Sequence, residues 1–130
     1  MGCRGTIEIW EHGAAPKDKE SPVVLYTHWE ADKMFNNLKR ALSKHDRWRQ
    51  PDYLSRIIFS EMIKDDINGT TGFGIRTDNV CDASIEIVVD CDRQEVIVKS
   101  MKHSSFNKTY TFSELVEQYA EVNHNPPNCS

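Results

Sequence analysis

Residues 32–63 carry their apolar side chains at spacings of three and four, whereas the stretches before and after them alternate at a spacing of two. This change of period, and its reversal, constrains the fold more than any other feature. A period near 3.6 buries one stripe of a helix, and a period of two buries one face of a strand. A chain of 130 residues that runs from one period to the other and back is expected to be a single α+β domain.

Residues 6–11 (TIEIWE) and 23–29 (VVLYTHW) read as two strands separated by a charged, proline-bearing loop, and they predict an antiparallel hairpin. Asp32 is the expected N-cap of a first helix, with Met34, Phe35, Leu38, Ala41, Leu42 and His45 on one stripe and the lysines and arginines opposite. Pro51 suits the first turn of a second helix, whose broad apolar face is Leu54, Ile57, Ile58, Met62 and Ile63. That helix is expected to stop at Asn68-Gly69, where glycine would supply a left-handed residue. Residues 73–77, 84–90 and 95–101 predict three more strands joined by short polar loops. Thr111-x-x-Glu114 is a capping box that opens a last helix. The expected order is ββααβββα: about five strands in a mainly antiparallel sheet, two central helices and a C-terminal helix. The domain is expected over residues 1–122, with a flexible tail over 123–130.

The opening MGCRGT matches the pattern for N-myristoylation. A strand beginning near residue 5 leaves an acyl chain almost no tether, and no polybasic segment follows to strengthen anchoring. Arg4 and Gly5 are therefore expected to begin the edge of a sheet. No apolar run approaches the length of a membrane span, and no signal-peptide region is visible, so a cytoplasmic location is expected. The cysteines at 3, 81, 91 and 129 have no metal-ligand spacing and are expected to be free thiols.

A net charge of −4 argues against bulk nucleic-acid binding. The charge is nevertheless uneven. Residues 33–49 hold six bases (Lys33, Lys39, Arg40, Lys44, Arg47, Arg49) and one acid, Asp46, while residues 82–95 are acidic. The basic segment is either a solvated helix face or a site for a small anion.

Residues 69–76 (GTTGFGIR) resemble a phosphate loop but lack the Lys-Ser/Thr ending, and they run from helix to strand instead of strand to helix. The glycine-rich turn could still hold an anion through Thr71, the Gly72 amide and Arg76, with Phe73 as a stacking face. The alternative is a helix end and a tight turn. Trp29 either stacks on a base or packs in the core. Arg56, among apolar neighbours, either pairs with Asp52 or clamps a phosphate. Arg47 would add long-range attraction. The expected ligand-binding set is thus Trp29, Arg47, Arg56, Thr71, Gly72, Phe73 and Arg76.

Catalysis finds little support. No nucleophile elbow or zinc motif is present, and His103-x-Ser105 is half of a paired phosphoesterase signature. No metal or cofactor is expected.

Residues 25–30 (LYTHWE), Arg47-Trp48, residues 53–63 (YLSRIIFSEMI) and 71–75 (TGFGI) resemble a pattern found in small proteins of phages and prophages, with the likeness spanning about residues 1–100. Within that group the chain is similar to the Thoeris anti-defence family. The resemblance implies a homo-oligomeric, non-enzymatic sponge that sequesters cyclic nucleotide-type immune signals without destroying them. It assigns no individual residue. A protein–protein inhibitor of a host enzyme is the alternative, and a small phosphoesterase using His28 or His103 ranks third.

Overall fold

The structure, a computed structural model, describes residues 3–13, 16–78, 83–100 and 107–120. Strands β1 (Gly5–Trp10) and β2 (Val23–Thr27) form the expected antiparallel hairpin, with Ile7 opposite Leu25. Helices α1 (Ala31–Leu42) and α2 (Pro51–Ile63) follow, and then strands β3 (Phe73–Arg76), β4 (Ile85–Asp90), β5 (Glu95–Ser100) and β6 (Asn107–Thr111). Helix α3 (Phe112–Ala120) ends the described chain. The strands make one sheet in the order β3-β2-β1-β4-β5-β6. Every pairing is antiparallel except β1 with β4, which run parallel with Ile7 opposite Ile87. The fold is α+β, with a mixed but mostly antiparallel sheet.

The apolar alternation builds one face of the sheet. Ile7, Ile9, Leu25, Ile85, Ile87, Val89, Val96 and Val98 are buried there. The α1 stripe of Met34, Phe35, Leu38, Ala41 and Leu42 packs on them, joined by Leu54, Ile58 and Met62 of α2 and Phe112 and Leu115 of α3. Close packing of α1 on β1 needs a glycine. A Cβ at Gly5 would lie 2.4 Å from the Met34 methyl and 2.7 Å from Ala31 Cβ. The capping box forms as expected: Thr111 N–H donates to Glu114 Oε1 (2.7 Å), and Glu114 N–H donates to Thr111 Oγ1 (3.0 Å).

Several local expectations are corrected. The sheet has a sixth strand, β6, which offers little apolar pattern; of its residues, Tyr110 packs on the core. β1 lies inside the sheet, so Arg4 and Gly5 do not begin an edge. The N-cap of α1 is Glu30, with no side-chain cap bond, and Asp32 sits in the first turn, where its charge complements the helix dipole. His45 lies past the end of α1 at φ 53 and is exposed, so it leaves the buried stripe. Lys39 is not on the solvent face. It is buried, with Nζ 4.5 Å from the centroid of the Phe35 ring, and burial pushes its pKa down. Helix α2 stops at Ile63, short of Asn68. The left-handed glycine is Gly72 (φ 96), and Gly69 instead closes a turn by donating to the Asp66 carbonyl (3.0 Å).

Cys91 is a buried free thiol, whose pKa burial and the nearby Asp90 push up to about 12. Cys3 is disulfide-bonded, which corrects the expectation of free thiols throughout. Cys81, Cys129, His103, Ser105 and the expected tail at 123–130 lie outside the described residues. Among the described residues, no helix is long and apolar enough to cross a membrane.

Leu38 is fully enclosed at the centre of the α1 stripe. Leu38→Ala is expected to destabilise the fold by about 2–5 kcal/mol. Chemical denaturation checks this, and a loss below about half a kcal/mol would contradict the packing described.

Candidate functional site

The end of β2 and the start of β3 come together through the backbone. His28 N–H donates to the Gly72 carbonyl (2.8 Å), and Phe73 sits opposite Thr27. Thr27 Oγ1 accepts from Glu30 N–H (3.1 Å), fixing the entry to α1. Gly72 takes a positive φ, and a Cβ there would lie 2.4 Å from the Trp29 ring. Glycine is therefore required twice at this position, for its conformation and for the indole laid against it. Trp29 stays about half exposed and meets His28 edge-on at 5.4 Å, while the His28 Nδ1 lies 2.9 Å from the Tyr26 hydroxyl.

A cleft of about 240 Å3 opens beside this turn, between α1 and α2. Its lining includes Glu30, Lys33, Asn37, Arg40, Glu61, Asp65, Asp66 and Phe73. Its electrostatic centre is the Glu61 carboxylate. Arg40 Nε donates to it at 2.8 Å, Lys44 Nζ lies 3.2 Å away and Lys64 Nζ 3.7 Å away. Burial alone would raise the Glu61 pKa, but hydrogen bonds from Arg40 and Lys44 and the charges of Lys44 and Lys64 outweigh it and hold the carboxyl below its ordinary range. Asn37 Oδ1 accepts from Arg40 Nη2 (2.8 Å), which steadies the guanidinium. Lys33 pairs with Glu30 (2.9 Å) on the same rim.

The seven residues singled out in the sequence do not form one site. Trp29, Thr71, Gly72 and Phe73 are neighbours where the end of β2 meets the turn into β3. Phe73, half-buried, lines both the central cleft and a groove of about 180 Å3 formed with Phe59, Ile63, Ile67 and Thr71. Arg76 stands at the far end of β3, opposite Val24, and pairs with Asp78 (3.4 Å), its Nε buried without a hydrogen bond. Arg56 is exposed on α2, lines neither of these cavities and makes no ion pair with Asp52 among the described residues. Arg47 belongs to the α1–α2 loop, where it stacks over the Tyr53 ring (4.6 Å) and borders a separate open cleft of about 490 Å3 with His45, Trp48 and Arg49.

The sequence reading missed the Glu61 cluster. Its signal was present in two parts: Arg40 and Lys44 are four apart across the end of α1, and Glu61 and Lys64 are three apart across the end of α2. Only the packing of the helices shows that both pairs share one carboxylate. Among the described residues, no group of three or more His, Cys, Asp or Glu side chains could hold a metal ion. No family model, curated protein or solved structure matches the chain.

Two outcomes follow from this geometry. Gly72→Ala is expected to cost at least about 1–2 kcal/mol from the left-handed backbone alone, and to shift Trp29 fluorescence as the ring is displaced; denaturation followed by tryptophan emission measures both. The depressed Glu61 pKa means its stabilisation is complete above the unfolded carboxylate range and is lost as pH falls through its lower folded value. Glu61→Gln should therefore have a lower melting midpoint than the parent at pH 7, with the gap closing below about pH 4. A gap independent of pH would contradict the three-cation arrangement.

Proposed function

We propose that the chain is a non-enzymatic binder that sequesters a small phosphate-bearing, base-containing molecule of the cyclic nucleotide type in the cleft between α1, α2 and the start of β3. The observation that carries this reading is the convergence of Arg40, Lys44 and Lys64 on the single carboxylate of Glu61 beside the Phe73 ring. Three cations meet at the one carboxylate of Glu61, while Asp65 and Asp66 on the rim balance their charge across the cleft as a whole; the guanidinium and ammonium groups are the donors that phosphate selects. Asp65 and Asp66 on the same rim bring carboxylates suited to accepting from ribose hydroxyls. Phe73 offers a face on which a base stacks. A nucleotide asks for all three chemistries together, whereas a bare phosphate would gain nothing from the acidic rim.

Retention without conversion is part of the reading. A carboxylate held low by three cations is a weak proton acceptor at neutral pH, so Glu61 suits a structural counter-charge better than a general base. The setting of the proposal, a phage-type anti-defence protein acting in the host cytoplasm, rests on the resemblance of residues 25–30, 53–63 and 71–75 to that group.

The test is to incubate the protein with a panel of cyclic mono- and dinucleotides, remove free ligand, denature by heat and identify what is released. Intact ligand supports sequestration. A cleaved product would make the protein an enzyme, and no uptake would favour an inhibitor that docks on another protein. Arg40→Ala and Phe73→Ala are each expected to weaken binding by at least about tenfold, as the loss of a charge-assisted bond or a stacked base predicts. Arg56→Ala, outside the cleft, is expected to leave affinity unchanged.

A further inference from the structure

The two edges of the sheet differ in kind. The β6 edge carries Asn107, Lys108 and Thr109, exposed and polar, with a lysine of the sort that blunts an edge against pairing. The β3 edge reads Phe-Gly-Ile-Arg, with neither lysine nor proline, and Ile75 on it is 65% exposed. β5 lies between β4 and β6 and is not an edge.

The backbone of β3 is set to accept another strand. The Gly72 carbonyl points at β2, where it accepts from His28 N–H (2.8 Å), and the register continues through Gly74 with Tyr26 and Arg76 with Val24. Alternation along an antiparallel strand then turns the N–H and C=O groups of Phe73 and Ile75 away from β2, toward the open side. No described strand lies there.

Nothing among the described residues calls for glycine at position 74. Its φ is not positive, and a Cβ built on it would meet nothing within 4 Å. Glycine weakens a strand interior, and in strands it often marks a site where another backbone approaches closely.

We propose that β3 pairs antiparallel with β3 of a second copy of this chain, about a two-fold axis through Ile75. In that register Ile75 meets its mate and Phe73 lies opposite Thr77 of the second copy, so the outward groups of Phe73 and Ile75 are hydrogen-bonded. Gly74 then lies opposite Arg76 of the second copy, in a non-hydrogen-bonded pair where side chains come closest. The missing side chain makes the room that the arginine stem fills. Arg76 is already paired with Asp78 on its own chain, so the two copies meet without bare like charges. Because the axis relates residues of the same parity, the apolar faces stay on one side, and Ile75 is covered by its mate. Exposed Ile67, which lines the groove with Phe59, Ile63 and Phe73 beside the same strand, extends the apolar surface next to the contact. This assembly does not depend on the ligand proposed above.

Light scattering and sedimentation of the full chain at about 100 µM, where even micromolar association is visible, should give the dimer mass. Ile75→Lys and Ile75→Pro should both give monomers. The Ile75 N–H faces away from β2 and makes no hydrogen bond among the described residues, so proline there removes only an intermolecular donor; if circular dichroism shows that the proline variant unfolds, the lysine variant carries the test. Ile75→Cys should form a covalent dimer under mild oxidation well beyond that of the parent chain, as an axial pair requires. A monomeric parent, or a dimer that survives Ile75→Lys with its fold intact, overturns the proposal. A dimer lost on Ile75→Lys but with no cross-link at residue 75 overturns the register.

Discussion

The parallel pairing of β1 with β4 is the contact on which the rest of the architecture depends. Parallel neighbours cannot be joined by a tight turn, so the chain between them must travel out and return. Here the excursion is β2, α1, α2 and β3. The strands extend the sheet on one side of β1, and the helices lie across the face made by Ile7, Ile9, Ile85, Ile87 and Val89. Once β1 and β4 are adjacent, β5 and β6 can only extend the other side, and α3 drops onto the same apolar face through Phe112 and Leu115. Gly5 marks how closely this centre is packed, since α1 rests where its side chain would be.

The same excursion creates the cleft. Helices α1 and α2 bring their basic positions against one acid, and the turn into β3 delivers Phe73 to its rim. Glu61 has two roles in this arrangement. It ties the two helices together through Arg40, and it organises cations that would otherwise repel one another. Lys39, one residue from Arg40, takes the opposite course, lying beneath the helix against Phe35. Neighbouring basic residues thus serve different ends because a helix turns through about 100° per residue.

Much of the fold was legible in the sequence. The β1–β2 hairpin, both central helices, strands β3 to β5 and the Thr111–Glu114 capping box all follow from patterns within a few residues of each other. The misses also have local causes. β6 was overlooked because an edge strand with little buried surface needs no apolar alternation. The end of α2 was placed too far along because Gly69 looked like a helix stop, whereas the position that needed glycine was Gly72, where Trp29 leaves no room for a Cβ.

The candidate site was less legible than the fold. Of the seven residues picked from the sequence, Phe73 lines the central cleft and Thr71 the adjoining groove; Trp29 and Gly72 meet at the turn into β3, and Arg47, Arg56 and Arg76, grouped with them by chemistry alone, lie outside the cleft. What the sequence by itself determined was the set of elements, since periodicity, capping and turn chemistry act over one or two turns of chain. Only the tertiary structure decided that β1 runs beside β4, that Arg40, Lys44 and Lys64 share Glu61, and which strands became edges. Those contacts join segments far apart in the chain, and their strength comes from burial and charge neutralisation that exist only after the elements have packed.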